Sequence, residues 1–399
     1  MFRFIHTSDW HLGQNFYGYD RNEEQRDMLR QLADIVADVQ PDALLVSGDI
    51  YHTAAPSSAA VSLYVEAMLE IHRACPTMSI IVIAGNHDSA SRLESHGLLW
   101  RLAGVTVLGG ITRNTEGKAD LSSHLIRVGD KGIVAAVPFA FPPSFPLTDE
   151  DIERGGRQPA YFQALLDQAN QQNPDGLPVV LMAHLAVSNS DTTGHDHILP
   201  MECVDLTTLG RGYDYAALGH IHRPQAVGSN ARYCGTPLAV SFDEQCEHSV
   251  SLVEIESHGS TPVVTARRIN NIKPLHTIPA DHPVPLDDAI GCLQRLSPAE
   301  NAYIRLNVLV EQTLPHDAQS RAAQAAQEMN CRYCDIKKTL PATIARQERQ
   351  MTLEELNSML PADVANRYFI DKTGHPMTQE QQEMFNTIYQ QVLEENRQS

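Results

Sequence analysis

The first 220 residues alternate short apolar runs with helical stretches, and this alternation restricts the fold more than any other feature of the sequence. Six runs of four or five residues have the length and apolar content of buried strands. They are residues 3–6, 43–47, 80–84, 133–137, 179–183 and 215–218. Apolar residues also recur on one helical face from Met28 to Val39, until Pro41 ends the helix. Repeated strand–helix–strand units predict a layered α/β core.

The rest of the chain divides into smaller parts. A proline-rich segment, residues 271–285, marks a break between the first part and a small α/β unit. The strand of this unit should place Arg305 and Asn307 on the face opposite its apolar residues. Capping boxes that begin at Thr352 and Thr378 predict two C-terminal helices. The expected parts are residues 1–270, 274–340 and 350–399, with helices at 286–296, 318–329, 352–369 and 378–393.

Composition adds three expectations about the setting of the protein. No apolar run reaches the length of a membrane span, and no secretory signal fits before the first strand, so we expect no membrane association. Seven dispersed cysteines favour a reducing, cytoplasmic location over a disulfide framework. The formal net charge of −19 argues against nucleic-acid binding by this surface alone. Bound divalent ions would reverse the local charge of a carboxylate-rich site, and a partner could supply basic surface.

Five clusters of metal-ligand side chains follow the predicted strands directly. Because the carboxyl ends of strands in α/β sheets converge on one crevice, residues distant in sequence can form one site there. A single histidine in such a position is usually polar packing, but five clusters in order at five strand ends indicate a functional site. The clusters are Asp9 with His11, Asp49, Asn86 with His87 and Asp88, His184, and His220 with His222.

The inventory of side chains suits a pair of metal ions. Asp9, His11 and His222 could hold one ion, and Asn86, His184 and His220 could hold the other. Asp49 has two carboxylate oxygens and could bridge the ions. Mixed imidazole, carboxylate and amide ligands suit manganese, iron or zinc better than calcium. Two such ions can clamp a phosphodiester and activate a water for in-line attack.

Three further residues are candidates for catalysis beside the ions. His87 follows a predicted ligand directly, so it could act as general acid or as a donor to the scissile phosphate. Asp88 could hold the imidazole of His87 in the required tautomer. His52, three residues after Asp49, could reach a phosphate oxygen.

These motifs resemble those of a known family. The opening stretch His6-Thr7-Ser8-Asp9-Trp10-His11-Leu12-Gly13 is similar to the first motif of SbcD, the nuclease subunit of bacterial SbcCD complexes within the calcineurin-like metallophosphoesterases. The segments at 48–53, 85–89 and 218–223 resemble its later motifs, and those at 233–237 and 241–244 resemble the stretch that follows. The resemblance runs from residue 2 to about residue 245.

The resemblance implies both an architecture and an activity. It implies a metallophosphoesterase β-sandwich flanked by helices, a capping domain at 274–340 that shapes a DNA cleft, and C-terminal helices that bind an SbcC-type ATPase. It also implies a manganese-dependent DNA nuclease, with magnesium as the second candidate ion, that has double-strand exonuclease and single-strand or hairpin endonuclease activity. His87 would be its catalytic histidine, with Asp88 orienting it. The family further implies a homodimer within a heterotetramer.

Two other functions compete with this interpretation. A phosphoprotein phosphatase or small-molecule phosphodiesterase would use the same metals, but phosphoprotein phosphatases usually carry Gly-Asp-x-x-Asp-Arg-Gly and Gly-Asn-His-Glu. Here Asp49 is followed by Ile-Tyr-His-Thr, and the later motif ends in Asp88. A non-catalytic scaffold for DNA ends would not need the complete set of ligands.

Overall fold

The computed structural model describes residues 1–95, 97–146, 156–194, 203–297, 301–311 and 313–341, and eight residues beyond them: Asn366, Phe369, Met377, Thr378, Gln381, Gln382, Met384 and Phe385. The strands are β1 Phe2–Thr7, β2 Asn15–Phe16, β3 Tyr19–Asp20, β4 Ala43–Ser47, β5 Ser79–Ile83, β6 Val105–Leu108, β7 Leu125–Val128, β8 Gly132–Val137, β9 Val179–His184, β10 Tyr215–Gly219, β11 Gln225–Val227, β12 Ala231–Tyr233, β13 Ser249–Ile255, β14 Val263–Arg268, β15 Leu275–Ile278, β16 Tyr303–Leu309 and β17 Arg332–Thr339. The α-helices are α1 Asn22–Val39, α2 Ser58–Ala74, α3 Ala90–Glu94, α4 Gly97–Leu102, α5 Arg157–Gln171, α6 Leu286–Leu293 and α7 Ala318–Glu328.

Two six-stranded sheets form the centre of the fold. The first sheet has the order β14-β13-β1-β4-β5-β6, and β1, β4, β5 and β6 run parallel to one another. The second has the order β11-β12-β10-β9-β8-β7, with β8, β9, β10 and β12 parallel. Antiparallel strands close one edge of the first sheet and both edges of the second, and the other edge of the first sheet is the parallel strand β6. The central strands of both sheets are therefore parallel, and the predicted βαβ units are confirmed.

The two sheets pack face to face, and helices cover their outer faces. Phe4 and Leu45 of the first sheet share an apolar core with Val180 and Tyr215 of the second. The outer face of the first sheet packs on α1 and α2, and that of the second packs on α5. The result is a four-layered α/β/β/α sandwich, which confirms the predicted fold class.

Strand β4 shows why the apolar runs form this sandwich. All five of its residues are buried, and alternate side chains point to opposite faces of the sheet. Leu45 enters the core between the sheets, whereas Leu44 and Val46 contact the helical layer. A parallel strand covered on both faces requires such a continuous apolar run. The prediction for 43–47 matches the observed strand, and the other five predicted strands of the two sheets agree within two residues.

The small α/β unit consists of the sheet β15-β16-β17 with helices α6 and α7. Both faces of β16 are buried up to Val308, because Arg305 and Asn307 lie at only 7% and 8% exposure. The sequence placed these two side chains on the face opposite the apolar residues, and that face is buried as well. Chain contacts group residues 1–308 and 314–337 into one compact unit, and residues 309–313 and 338–399 into another.

Several predicted boundaries differ from the structure or lie outside it. The polar stretch from Thr148 to Gln172 also predicts a helix; the structure has α5 from Arg157 to Gln171, and residues 148–155 lie outside the described residues. Helix α6 ends at Leu293, three residues before its predicted end. The predicted C-terminal helices, 352–369 and 378–393, also lie almost entirely outside the described residues. The proposed domain boundaries remain predictions.

Within the described part of the chain, every helix is too short or too polar to traverse a lipid bilayer.

Candidate metal centre

The seven predicted metal ligands lie at one end of the sandwich. Each follows, or is the last residue of, a parallel strand: β1, β4 and β5 in one sheet and β9 and β10 in the other. Parallel strands in each sheet end at the same edge, so loops from both sheets meet there. The seven residues are Asp9, His11, Asp49, Asn86, His184, His220 and His222.

The backbone of the ligand loops takes an uncommon conformation. Asp9, His11, Asp49 and His220 have φ values of 54°, 46°, 52° and 98°. Non-glycine residues rarely adopt positive φ, and when several do so at one place the site is usually functional. Hydrogen bonds between the loops hold this geometry, because the amides of Asp9 and His11 donate to the carbonyls of Gly48 and Asp49 at 2.9 and 3.0 Å.

Glycine at position 85 permits two of these loops to come close. A Cβ atom there would lie 2.1 Å from Oδ1 of Asp49, which is far inside van der Waals contact. Gly48, directly before Asp49, is restricted in the same way, because a Cβ atom would lie 2.2 Å from Nδ1 of His184. The Gly-Asp and Gly-Asn pairs of the sequence therefore bring ligands from neighbouring strands together.

The first group of ligands surrounds a small buried space. Nε2 of His11 lies 3.3 Å from Nε2 of His222. The ligand atoms of these two histidines and Asp9 lie within 4.8 Å of one another, and all three side chains are buried. Two nitrogen atoms bound to one ion at about 2.1 Å would have roughly this separation. The arrangement matches the first predicted ligand group.

The second group meets at the amide oxygen of Asn86. This oxygen lies 2.9 Å from Nε2 of His184 and 2.9 Å from Nδ1 of His220. One atom from each of three separate loops therefore faces the same point, as the second predicted group requires.

Asp49 lies between the two groups. Its Oδ2 atom is 3.8 Å from Nε2 of His11 and 3.5 Å from Nε2 of His184, so one oxygen approaches a ligand of each group. Burial raises the pKa of Asp49, but the adjacent His184 and His11 outweigh burial and hold that pKa well below its usual value. An anionic, buried carboxylate in this position is suited to bridging two cations.

Two histidines are held in a defined orientation by acceptors outside the ligand set. Nδ1 of His184 donates to the carbonyl of Ser47 at 2.8 Å, and Nδ1 of His222 donates to Oε1 of Glu244 at 3.1 Å. In both rings this leaves Nε2 directed at the other proposed ligands. Metal-binding histidines are typically supported in this way.

Glu244, which accepts the hydrogen bond from His222, is a residue of the site that the sequence interpretation missed. It is buried and also accepts a hydrogen bond from Oγ1 of Thr236 at 2.6 Å. The only signal was its place in the segment 241–244 that resembles the known family, which assigned it no role.

The residues fit two metal ions. Buried carboxylates and imidazoles need paired charges or bound metals to remain inside a protein. Five such side chains are almost completely buried next to one another here: Asp9, Asp49, His11, His184 and His222. Nitrogen and oxygen ligands in this mixture suit a divalent transition metal.

His87 and His52 lie together beside the first ligand group. Their rings stack with centroids 5.8 Å apart, and the ring of His87 meets that of His11 edge-on at 5.0 Å. Nδ1 of His87 donates to the carbonyl of His52 at 2.9 Å. Nε2 is then the atom of His87 that remains to exchange a proton with a bound substrate.

Asp88 does not orient His87, so that part of the sequence interpretation needs correction. Its carboxylate accepts hydrogen bonds from the amides of Ile50, Tyr51 and Gly85 at 2.9–3.0 Å. The acceptor for His87 is the carbonyl of His52 instead. Burial, followed by the charge of Asp49, raises the pKa of Asp88 to about 6. Asp88 therefore joins the two ligand loops rather than setting a histidine tautomer.

A four-layered sandwich with such ligand loops defines a metallophosphoesterase, and comparison with known families agrees. Residues 2–224 match the model described as calcineurin-like phosphoesterase. Residues 271–373 match a second model, described as type 5 capsule protein repressor C-terminal domain.

Comparison with individual relatives identifies a family within this class of phosphoesterases. Over 318 residues, the chain is 33% identical to the SbcD subunit of the SbcCD nuclease of Rhodobacter capsulatus. The aligned residues cover 74% of this chain and 76% of the relative. It is 31% identical over 258 residues to the SbcD subunits of the same nuclease from Escherichia coli K12 and Bacillus subtilis, with 61% of this chain covered. The chain spans 62% and 63% of the length of those two relatives. The protein belongs to the SbcD family of calcineurin-like phosphoesterases.

Proposed function

We propose that this protein is a two-metal phosphodiesterase that cuts DNA as the nuclease subunit of a complex with an SbcC-type ATPase. The observation that carries the proposal is the position of Asp49. Its Oδ2 atom lies within 4 Å of a histidine from each of two ligand groups, in a chain of the SbcD family. A bridged pair of cations is the arrangement that phosphodiester hydrolysis uses repeatedly.

The two ligand groups would each hold one ion. Asp9, His11 and His222 form the first group, Asn86, His184 and His220 form the second, and Asp49 belongs to both. When bound, the ions would neutralise phosphate charge and lower the pKa of a coordinated water. The protein contributes fixed ligand directions, through Ser47 for His184 and Glu244 for His222.

His87 would donate a proton to the departing oxygen of the substrate. With Nδ1 bonded to the carbonyl of His52, its Nε2 atom is the one directed away from the backbone. A general acid positioned in this way prevents a strongly basic alkoxide from leaving unprotonated. His52, stacked on His87, is placed to contact a phosphate oxygen.

Manganese is the ion we propose, with magnesium as the alternative. The ligand set includes four histidines, His11, His184, His220 and His222. Imidazole nitrogen is a poor ligand for magnesium and a good one for manganese, iron and zinc.

The proposed partners are an ATPase, DNA and a second copy of this chain. The sequence has no Gly-x-x-x-x-Gly-Lys-Ser/Thr loop, so any dependence on ATP must come from another protein. The net charge of −19 likewise calls for an additional source of DNA affinity. Residues 350–399 are the proposed ATPase-binding region, in a homodimer within a cytoplasmic heterotetramer.

A substrate comparison tests the function. Purified protein with manganese, with and without the ATPase, should cleave double-stranded ends and hairpin DNA and leave a phosphopeptide intact. Asp49→Ala should abolish cleavage together with manganese binding, measured by calorimetry. Hydrolysis of the phosphopeptide without cleavage of DNA would favour a phosphatase, and manganese binding without either activity would favour a scaffold.

A further inference from the structure

An open cleft lies directly beside the second ligand group. It has a volume of about 520 Å³ and is lined by Asn86 at one end and by Arg113, Phe139 and Phe141 further out. Clefts of this size typically hold a small molecule or one unit of a polymer. Asn86 contributes its amide oxygen to the metal centre, so whatever occupies the cleft is continuous with a substrate bound there.

Two phenylalanines form a line of aromatic rings from the metal centre to the surface. The ring of Phe139 meets that of His184 edge-on at 6.3 Å and that of Phe141 at 5.1 Å. The amide of Phe139 donates to the carbonyl of Ala84 at 2.9 Å, which fixes this segment to the loop that carries Asn86. The aromatic rings are therefore held in a constant position relative to the ligands.

Phe141 is the outermost ring and is 64% exposed, although a side chain of this size usually contributes to a core. It precedes Pro142 and Pro143, and its carbonyl accepts the amide of Ser144 at 2.8 Å. Proline limits backbone rotation, so the ring is presented on a stiff turn. Binding to a preformed ring costs less conformational entropy than ordering a mobile one.

Arg113 gives the cleft a positive charge in an acidic protein. Within the described residues, its guanidinium donates to the carbonyls of Ser144 and Gly117 at 2.8 and 3.2 Å and forms no ion pair. The carboxylate of Asp88, which also lines the cleft, is occupied by three backbone amides. Stacking surfaces together with unneutralised arginine are the features that bind single-stranded nucleic acid.

From this arrangement we propose that the cleft binds an unpaired nucleotide adjacent to the scissile phosphodiester, with its base stacked on Phe141. The inference rests on the proposed nuclease function and adds a substrate preference to it. Stacking does not distinguish among bases, because each has a π face, so the cleft favours unpaired strands without reading sequence. Arg113 attracts the adjoining phosphate.

A cycle of variants and substrates tests the stacking. Cleavage of a thymidine oligonucleotide is compared with that of an equal-length oligonucleotide in which abasic nucleotides replace thymidine, in manganese. Phe141→Ala should lower kcat/KM on thymidine about tenfold, the scale of one base–aromatic stack, and change it less than twofold on the abasic strand. Phe141→Trp should retain activity on thymidine. Leu69→Ala, which removes an exposed apolar side chain from α2, serves as the matched control.

An equal loss of kcat/KM on both oligonucleotides would show that Phe141 supports the structure of the cleft and does not stack on a base. An unchanged kcat/KM on the thymidine oligonucleotide would overturn the cleft assignment. Binding separates these results from a failure of the nuclease function. The fluorescence of an oligonucleotide that contains 2-aminopurine should be quenched when it binds to the His87→Leu variant. The quenching should be much weaker with the double variant that carries both His87→Leu and Phe141→Ala. Quenching without any DNA cleavage by the wild type would refute the nuclease and keep the cleft. DNA cleavage that Phe141→Ala leaves unchanged would refute the cleft assignment and keep the nuclease function.

Discussion

Hydrogen bonds from outside the ligand set determine how two buried histidines face the metal centre. Glu244 accepts from His222, and the carbonyl of Ser47 accepts from His184. A ring without such an acceptor could present either nitrogen and could rotate. The acceptors therefore restrict each histidine to one tautomer and one direction before any ion arrives.

Replacing Glu244 should weaken the first ligand group without removing a ligand. We expect Glu244→Gln to lower manganese affinity about 10- to 100-fold, the usual effect of losing a carboxylate that orients a metal-bound histidine. Calorimetric titration measures the change. Glu247→Gln, at a surface ion pair with Arg268, is the control. Unchanged affinity in Glu244→Gln would show that the hydrogen bond to His222 has no effect on the ion.

Replacing His87 should lower the rate of cleavage without affecting metal binding. We expect His87→Leu to retain both ions and to lower DNA cleavage by about two to four orders of magnitude, because a general acid is lost. Manganese content and single-turnover rates measure the two effects. A variant that cleaves DNA at the wild-type rate would remove His87 from the mechanism.

The sequence allowed the convergence of the seven proposed ligands to be predicted, but not the residues that orient them. Each ligand follows an apolar run, so strand ends could be located and their convergence inferred. Glu244 meets His222 because the chain returns after β12, and no local pattern records such a contact. Asp88 was assigned to His87 because they are neighbours in sequence, whereas its carboxylate in fact faces backbone amides of another loop.

At the scale of elements, the small α/β unit is fastened to the segment that carries Glu244. Arg305 of β16 binds Asp243 through two hydrogen bonds of 3.0 and 2.6 Å and stacks over Phe242 at 4.9 Å. Its hydrogen bonds lower the pKa of Asp243 and keep that carboxylate charged. Asp243 is followed directly by Glu244. A displacement of β16 would therefore move Asp243 and the adjacent Glu244, which is hydrogen-bonded to His222.

Removing that attachment should disturb the metal centre from a distance. We expect Arg305→Ala to lower manganese affinity several-fold, because the 241–244 segment loses its anchor. Arg305→Lys should recover part of the affinity, since lysine keeps the charge but cannot form the paired hydrogen bonds. Arg321→Ala breaks an exposed pair with Asp287 in the same unit and is the control. Equal affinities in all three variants would rule out this connection.

The extent of the central buried strands was predictable, but the order of strands was not. Apolar runs define the strands because a parallel strand is covered on both faces. Which strand pairs with which depends on contacts between distant residues, such as β1 with β13. The burial of Arg305 was missed for the same reason, because its partner Asp243 is 62 residues away.

Across the whole molecule, the proposed ions join the two sheets. Asp9, Asp49 and Asn86 come from loops of the first sheet, and His184 and His220 come from the second. Each ligand group therefore includes residues from both sheets. Ion binding should stabilise the packing of the complete sandwich as well as the local loops.

Thermal unfolding should reveal this stabilisation. Manganese at about 100 times its dissociation constant contributes about 2.7 kcal/mol, which we expect to raise Tm by about 3–4 °C in a chain of this length. Scanning calorimetry with and without a chelator measures the shift. Asp49→Ala should show no shift, and a chelator-insensitive Tm in the wild type would argue against bound ions.

The distribution of ligands along the chain also matters during synthesis. The first residue of the set is Asp9 and the last is His222, so the set spans more than half of the 399 residues. A nascent polypeptide that ends before His220 lacks a member of each group. If the proposed function holds, both ligand groups can be complete only after residues 1–222 have emerged from the ribosome and folded.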